Sequence, residues 1–302
     1  MKKDQIKNWA GLPLLAATVG NLIWGFSNAF TQVALTVASP SVVLAIRFLL
    51  AILVMSFFIL SGKEKIDFRK PKLLYLVSLG IVELCYFYCE SYGIVYTNVT
   101  CSGVVLAISP VVAIAMAAAV LKEIPTRKQV FFSFVAVAGV IMITVAEGMA
   151  GEIQPIGILL LLGGCLFSAV FRIINRSICG IYTTFERTYM VLLVSAVSFT
   201  IMALIEEKGK ISVFLSPIVE PKFMIPVAIL GICSSVGANL MVNYAAERLP
   251  IVRLAVFGAI STICSMVGGI LFLGEPLTVM ALVGAVLILT GIWQVNKNGE
   301  NS

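Results

Sequence analysis

The clearest chemistry in this chain sits on one short stretch, Leu79-Gly80-Ile81-Val82-Glu83-Leu84-Cys85-Tyr86-Phe87-Tyr88-Cys89-Glu90. On a helix, Glu83, Tyr86, Phe87 and Glu90 fall at i, i+3, i+4 and i+7 and share one face. Lys72 marks the end of the apolar run, and Glu83 stands eleven residues further on. At about 1.5 Å of rise per residue that is roughly 16 Å, near the middle of a bilayer. An ionised carboxylate at that depth costs about 2.5 kcal/mol or more unless it faces a cavity or a partner. Two acids with two rings between them suit an organic cation, the rings through cation–π attraction and the acids through charge. Two other roles stay open for Glu83. A buried carboxyl is poised to take up and release a proton, and it could instead pair with a buried cation such as Arg47.

Two further polar sets lie in apolar surroundings. Asn21, Trp24 and Asn28 follow one another at i, i+3 and i+7, with Gly25 allowing close approach. Lipid cannot satisfy amides, so Trp24 and Asn28 are expected to line a water-accessible interior, the alternative being helix–helix hydrogen bonds. Ser234, Ser235, Asn239, Asn243 and Tyr244 form the second set, and Asn239 and Asn243 stand one turn apart, placed to orient a substrate or to pack as paired amides. Arg47 reads as a structural residue snorkelling outward, or as the anchor of a substrate carboxylate. Glu186-Arg187 and Glu247-Arg248 read as interface anchors or a closed-gate ion network. Glu123 and Glu275 read as acids at the positive ends of helix dipoles.

Much chemistry is excluded. The chain has no histidine, hence no His-based triad, His metal site or His relay. Its only aspartates are Asp4 and Asp67, and no Gly-rich phosphate loop occurs. Cys85 and Cys89 have the spacing of a weak metal pair, but the seven cysteines lie in or beside apolar runs, where a thiol is usually small hydrophobic filler. No catalytic set, metal or cofactor is expected, and the protein is read as a non-enzyme.

The elements that must hold these residues are membrane helices. The composition is 60% hydrophobic and 12% charged, against about 25% charged in soluble domains. Ten apolar runs are long enough for spans of roughly 20 residues: 11–35, 40–60, 72–92, 98–121, 128–146, 155–174, 184–205, 223–246, 250–273 and 277–295. Pro40, Pro71, Pro125, Pro155, Pro221, Pro250 and Pro276 fall near their ends, where proline is least disruptive. The first run lacks a cleavage site and is expected to be retained. Seventeen Lys and Arg residues fall on the side of the N-terminus and three (Lys208, Lys210, Lys222) on the other, so both termini are expected in the cytoplasm. The net charge of +6 reflects that sorting over short loops and not a nucleic-acid surface.

The two halves repeat. Ser91-Tyr92-Gly93, Ile108-Ser109-Pro110, Leu121-x-Glu123-x-x-Thr126 and Gly139 are matched by Asn243-Tyr244-Ala245, Ile260-Ser261-Thr262, Leu273-x-Glu275-x-x-Thr278 and Gly291, each pair 152 positions apart. Five helices per half is odd, so the second half is inverted, with Glu123 and Glu275 on opposite faces. The expected domains are 1–148 and 149–302, two five-helix repeats about an axis in the membrane plane. Substrate sites in such chains lie between the halves.

With Asn21-Leu22-Ile23-Trp24-Gly25, Pro40 followed by Arg47-Phe48-Leu49-Leu50-Ala51, Ser109-Pro110 and the duplicated Leu-x-Glu-x-x-Thr, the chain resembles the EamA-type transporters of the drug/metabolite transporter superfamily over nearly its whole length. The resemblance implies ten helices, with 1–4 and 6–9 around a central cavity and 5 and 10 peripheral. Gln32 stands where the family often has Lys, Phe167 where it often has Trp, and Thr262 replaces the second Pro. The expected fold class is thus all-α integral membrane, ten transmembrane helices as two inverted five-helix repeats. The expected function is alternating-access secondary transport, as exporter or exchanger, of a small organic metabolite, cationic or zwitterionic. The alternatives are an amino-acid or organic-acid permease anchored by Arg47, and a non-transporting sensor. Candidate substrate-binding residues are Trp24, Asn28, Glu83, Tyr86, Phe87, Glu90, Asn239 and Asn243, with Glu83 as the coupling candidate. Expected partners are the small-molecule substrate and the lipid bilayer, with proton coupling open and no nucleic acid. The chain is read as a monomer or homodimer of the cell membrane.

Overall fold

The computed structural model describes residues 3–97, 105–106, 108–146, 154–268, 270–271 and 278–299. Its helices are α1 (Lys3–Leu35), α2 (Pro40–Leu60), α3 (Leu73–Val95), α4 (Ser109–Leu121), α5 (Arg127–Ala146), α6 (Pro155–Ser177), α7 (Thr184–Glu206), α8 (Pro221–Arg248), α9 (Ile251–Gly268) and α10 (Val279–Gly299). Six of these, α2, α3 and α6 to α9, are long and apolar enough to cross a bilayer by themselves. No strand occurs among the described residues. Helices suit such sequences because a backbone in lipid must satisfy its own polar groups.

Local chemistry sets the ends. Pro40, Pro155 and Pro221 open α2, α6 and α8, where the missing N–H of proline costs nothing. Thr183 and Glu186 form a reciprocal capping box at α7. Thr126 and Gln129 do the same at α5, and the Thr278 hydroxyl accepts from the Ala281 N–H at α10, 152 positions on.

The packing is two-fold. α5 packs along α10 and α2 along α7. α3 lies against α6 and α7 as α8 lies against α1 and α2, and α1 meets α9 as α6 meets α4. The duplication holds at atomic level. A Cβ on Gly139 would lie 2.5 Å from the Gly284 carbonyl oxygen and 2.9 Å from the Ile288 nitrogen. One on Gly291 would meet the Phe132 oxygen at 2.8 Å and the Ala136 nitrogen at 3.0 Å, the same contacts shifted by 152. The structure is one all-α membrane fold of two inverted five-helix repeats, and one of its faces carries the 61–72 and 122–126 connections. That face is called the first face below.

One element breaks the symmetry. α8 runs as a π-helix from Leu230 to Ala238, while its mate α3 is α-helical throughout. At the start of the π segment the mates are 151 apart: Gly80 packs on Met190 and Val194 of α7 as Gly231 packs on Arg47 and Ala51 of α2. After it they are 152 apart: Gly20 faces Met241 as Gly163 faces Cys89. A π turn holds one residue more than an α turn, so the segment absorbs a single insertion. The mate of Glu83 therefore falls at Ser234 or Ser235, both within the segment.

Candidate functional site

A cavity of ≈ 130 Å³ lies between the halves, in the part of the molecule nearer the first face. That is about ten times the roughly 10–15 Å³ a single ordered water needs. Both repeats wall it: α1 and α3 from one, α6, α8 and the start of α9 from the other. Five sequence-predicted residues meet there, namely Trp24, Glu83, Tyr86, Asn239 and Asn243. Glu83 makes no hydrogen bond or direct ion pair among the described residues. Its electrostatic neighbours are Arg172 and Glu90. The Asn239 amide donates to the Ser235 carbonyl at 2.9 Å. Asn243 is buried and held on both sides, accepting from the Asn175 amide at 2.9 Å and donating to the Thr188 hydroxyl at 2.9 Å, so it shapes the wall more than it offers free donors.

Phe87 and Glu90 lie elsewhere. Phe87 turns from the cavity into an aromatic cluster, 5.6 Å from the Phe48 ring and 6.2 Å from that of Phe199. Glu90 stands behind Tyr86, accepting from its phenol at 2.8 Å. Asn28 is on α1, and its side chain lies outside the described residues. The single column read on α3 thus divides. At successive turns it faces α6 and α8, then α2 and α7, because α3 is packed on both sides.

Two arginines depart from the sequence reading. Arg47 does not snorkel outward. It reaches across the bundle, donating from Nε to Ser235 at 2.7 Å and from Nη2 to Ser234 at 3.0 Å, because two buried hydroxyls on the facing π segment satisfy it within the protein. Arg172, one of the seventeen basic residues assigned to the side of the N-terminus, walls the cavity with Glu83, and its Nε is buried without an acceptor among the described residues. Phe171 and Arg176 join it from α6. Sequence reasoning missed this side of the site. The available signal was the spacing of Ser168, Arg172 and Asn175 on one face of α6.

Below the cavity the first face is tied shut. Arg176 pairs with Glu123 at 3.3 Å and donates to the carbonyls of Ala246 and Glu247 at 2.8 and 2.7 Å. Arg187, fully buried, pairs with Glu247 and donates to the Asn175 side chain and carbonyl. Lys70 pairs with Glu186 at 2.7 Å. Glu123 does not cap its own helix but accepts from the Ile251 N–H at the start of α9 at 2.9 Å. Glu275 lies outside the described residues. The second face has a smaller tie, in which Glu206 accepts from Ser41 and, at 3.2 Å, from Tyr92.

Against known proteins, the family model described as "EamA-like transporter family" matches residues 11–145 and 155–297. The chain is 31% identical to an uncharacterized transporter, YcxC, of Bacillus subtilis, over 95% of this chain and 93% of that protein. It is 24% identical to an uncharacterized transporter of Archaeoglobus fulgidus over 96% of this chain and 99% of the other. A crystal structure at 16% identity superposes with a TM-score of 0.78, covering 96% of this chain and 98% of its own, and shares the fold.

Proposed function

Because this chain belongs to the EamA-like transporter family across both of its halves, we propose that its cavity carries a small zwitterionic metabolite, with the carboxylate on Arg172 and the ammonium on Glu83. The carrying observation is the buried Arg172 Nε without an acceptor, on a wall it shares with an unpaired Glu83. Buried donors are almost always satisfied, and each orphan has a cause. A carboxylate arriving with the substrate supplies the missing acceptor. Trp24, Tyr86 and Phe171 line the cavity with aromatic surface suited to the apolar body and the cation. This reading keeps the zwitterion of the sequence expectation and moves the anionic anchor from Arg47, which is engaged with two serines, to Arg172.

Transport follows alternating access about the two-fold axis, in the cell membrane, with the first face cytoplasmic as the basic bias requires. Without a nucleotide-binding loop, the work comes from a gradient of the substrate or of protons. The test is a thermal-shift screen of purified protein with neutral amino acids, monoamines and monocarboxylates, followed by counterflow in proteoliposomes. Zwitterions should both stabilise the protein and exchange across the bilayer. Stabilisation by amines alone or by carboxylates alone would overturn the two-charge reading, and binding without counterflow would make the protein a sensor.

A further inference from the structure

Phe87 and Glu90, which do not reach this cavity, have a place in the repeat. After the π segment the mates are 152 apart, so Phe87 stands where Asn239 stands in the other half, and Glu90 where Val242 stands. Asn239 and Val242 both wall the cavity. On α1 and α6, where mates are 143 apart, Asn28 is the counterpart of Phe171, another wall residue. Alternating access in an inverted repeat exchanges the conformations of the halves, so residues walling the cavity on one face have mates that wall it on the other.

The charges follow the same division. Beside the present cavity, Glu83 is under the influence of Arg172. Toward the second face, Glu90 is under that of Arg47. Neither pair closes into a direct ion pair among the described residues, and Arg47 is engaged by Ser234 and Ser235, the two positions between which the mate of Glu83 falls. The two arginines are not mates: the position 143 before Arg172 is Ala29, and that 143 after Arg47 is Met190. The duplication therefore did not copy this charge pattern into both halves, and each face holds its own acid and guanidinium. Tyr86 bridges the sets, walling the cavity while donating to Glu90 at 2.8 Å.

We propose that Glu90 and Arg47, with Phe87, form a second half-site that receives the zwitterion when the cavity opens to the second face, so that substrate passes from Glu83 and Arg172 to Glu90 and Arg47 in each cycle. This rests on the zwitterion reading for the ligand but not for the geometry. When the cavity opens to the second face, α3 beyond Tyr86 comes away from α2 and α7 while the Arg176 and Arg187 ties keep α8 beyond Ala238 on α6 and α7. The Phe48–Phe87–Phe199 cluster is then the plug that keeps the second face shut in the present conformer.

The test reads geometry without a substrate. V242C, E90C and F87C are each made in the full chain and placed in right-side-out and inverted membrane vesicles. A membrane-impermeant thiol reagent is added, and labelling is quantified by peptide mass spectrometry so that the native cysteines can remain. K122C, in the first-face connection, reports sidedness and reagent quality. Positions 87 and 90 should label at least about tenfold faster from the face opposite Lys122, and position 242 at least about tenfold faster from the Lys122 face, as expected when each half-site opens to one face only. F87C preserves the Tyr86–Glu90 bond and stands in if E90C fails to fold. Labelling of positions 87 and 90 from the Lys122 face overturns the half-site, and so does silence at both while K122C reacts. The zwitterion reading can fail in the ligand screen with this result intact, and the reverse also holds.

Discussion

Glu83→Gln separates a ligand carboxylate from a structural one. The change keeps shape and removes one charge. Among the described residues Glu83 has no direct ion-pair partner, and it lies between an attraction to Arg172 and a repulsion from Glu90. Neutralising it gives up the first, relieves the second and ends the desolvation of a buried charge, so the net change in stability should stay within about 1 kcal/mol. A carboxylate locked in a buried pair behaves otherwise, since removing one partner costs about 3–5 kcal/mol. Binding should respond in the opposite sense. A hydrogen bond to a charged group is worth about 1.5–3 kcal/mol, so affinity should fall about 10- to 150-fold. With ligand at a hundred times the wild-type Kd, wild-type protein gains about 2.7 kcal/mol of stability, whereas a variant weakened 100-fold gains only about 0.4 kcal/mol. The assay is the thermal shift of both proteins with and without that ligand, next to counterflow in proteoliposomes. A variant that melts several kcal/mol early without ligand, or one that transports as wild type does, refutes the reasoning.

Two further outcomes follow from the packing. Arg187→Met removes the fully buried partner of Glu247 and leaves it only Thr184 and the exposed Arg248, and should cost about 3 kcal/mol, while Arg248→Ala, whose partner is the same Glu247 but which is 42% exposed, should cost less than about 1 kcal/mol. Equal losses in thermal or denaturant unfolding would show that the first-face network is not organised by burial. Gly139→Ala puts a methyl 2.5 Å from the Gly284 carbonyl and should destabilise the α5–α10 pair by about 1–3 kcal/mol. Gly163→Ala, whose new methyl meets only the Cys89 sulfur at 3.6 Å, should be tolerated, and reversal of that order in melting temperature would contradict the packing described.

The sequence alone determined the spans, the duplication and much of the cavity wall. A bilayer demands about 20 apolar residues per crossing, so α2, α6 and α7 could be bounded to within a few residues by Pro40, Pro155 and the Thr184 end. A polar group in such a run has few places to go, and this is why Trp24, Glu83, Tyr86, Asn239 and Asn243 could be picked out and do meet around one cavity. Tertiary structure alone decided where long side chains end. Arg47 and Arg172 both stand within about two turns of a helix end, where a guanidinium can reach either lipid headgroups or a neighbouring helix. Only the facing Ser234 and Ser235 in one case, and Glu83 in the other, fix the direction inward. Glu123 likewise found its partner on α9, far away in the chain. The register of α3 against α8 is ambiguous in the letters, where Glu83 aligns with Ser234 or Ser235. The π segment, which contains both serines, is the physical reason, because an inserted residue in a helix leaves its mark in bonding pattern and contact, not in composition.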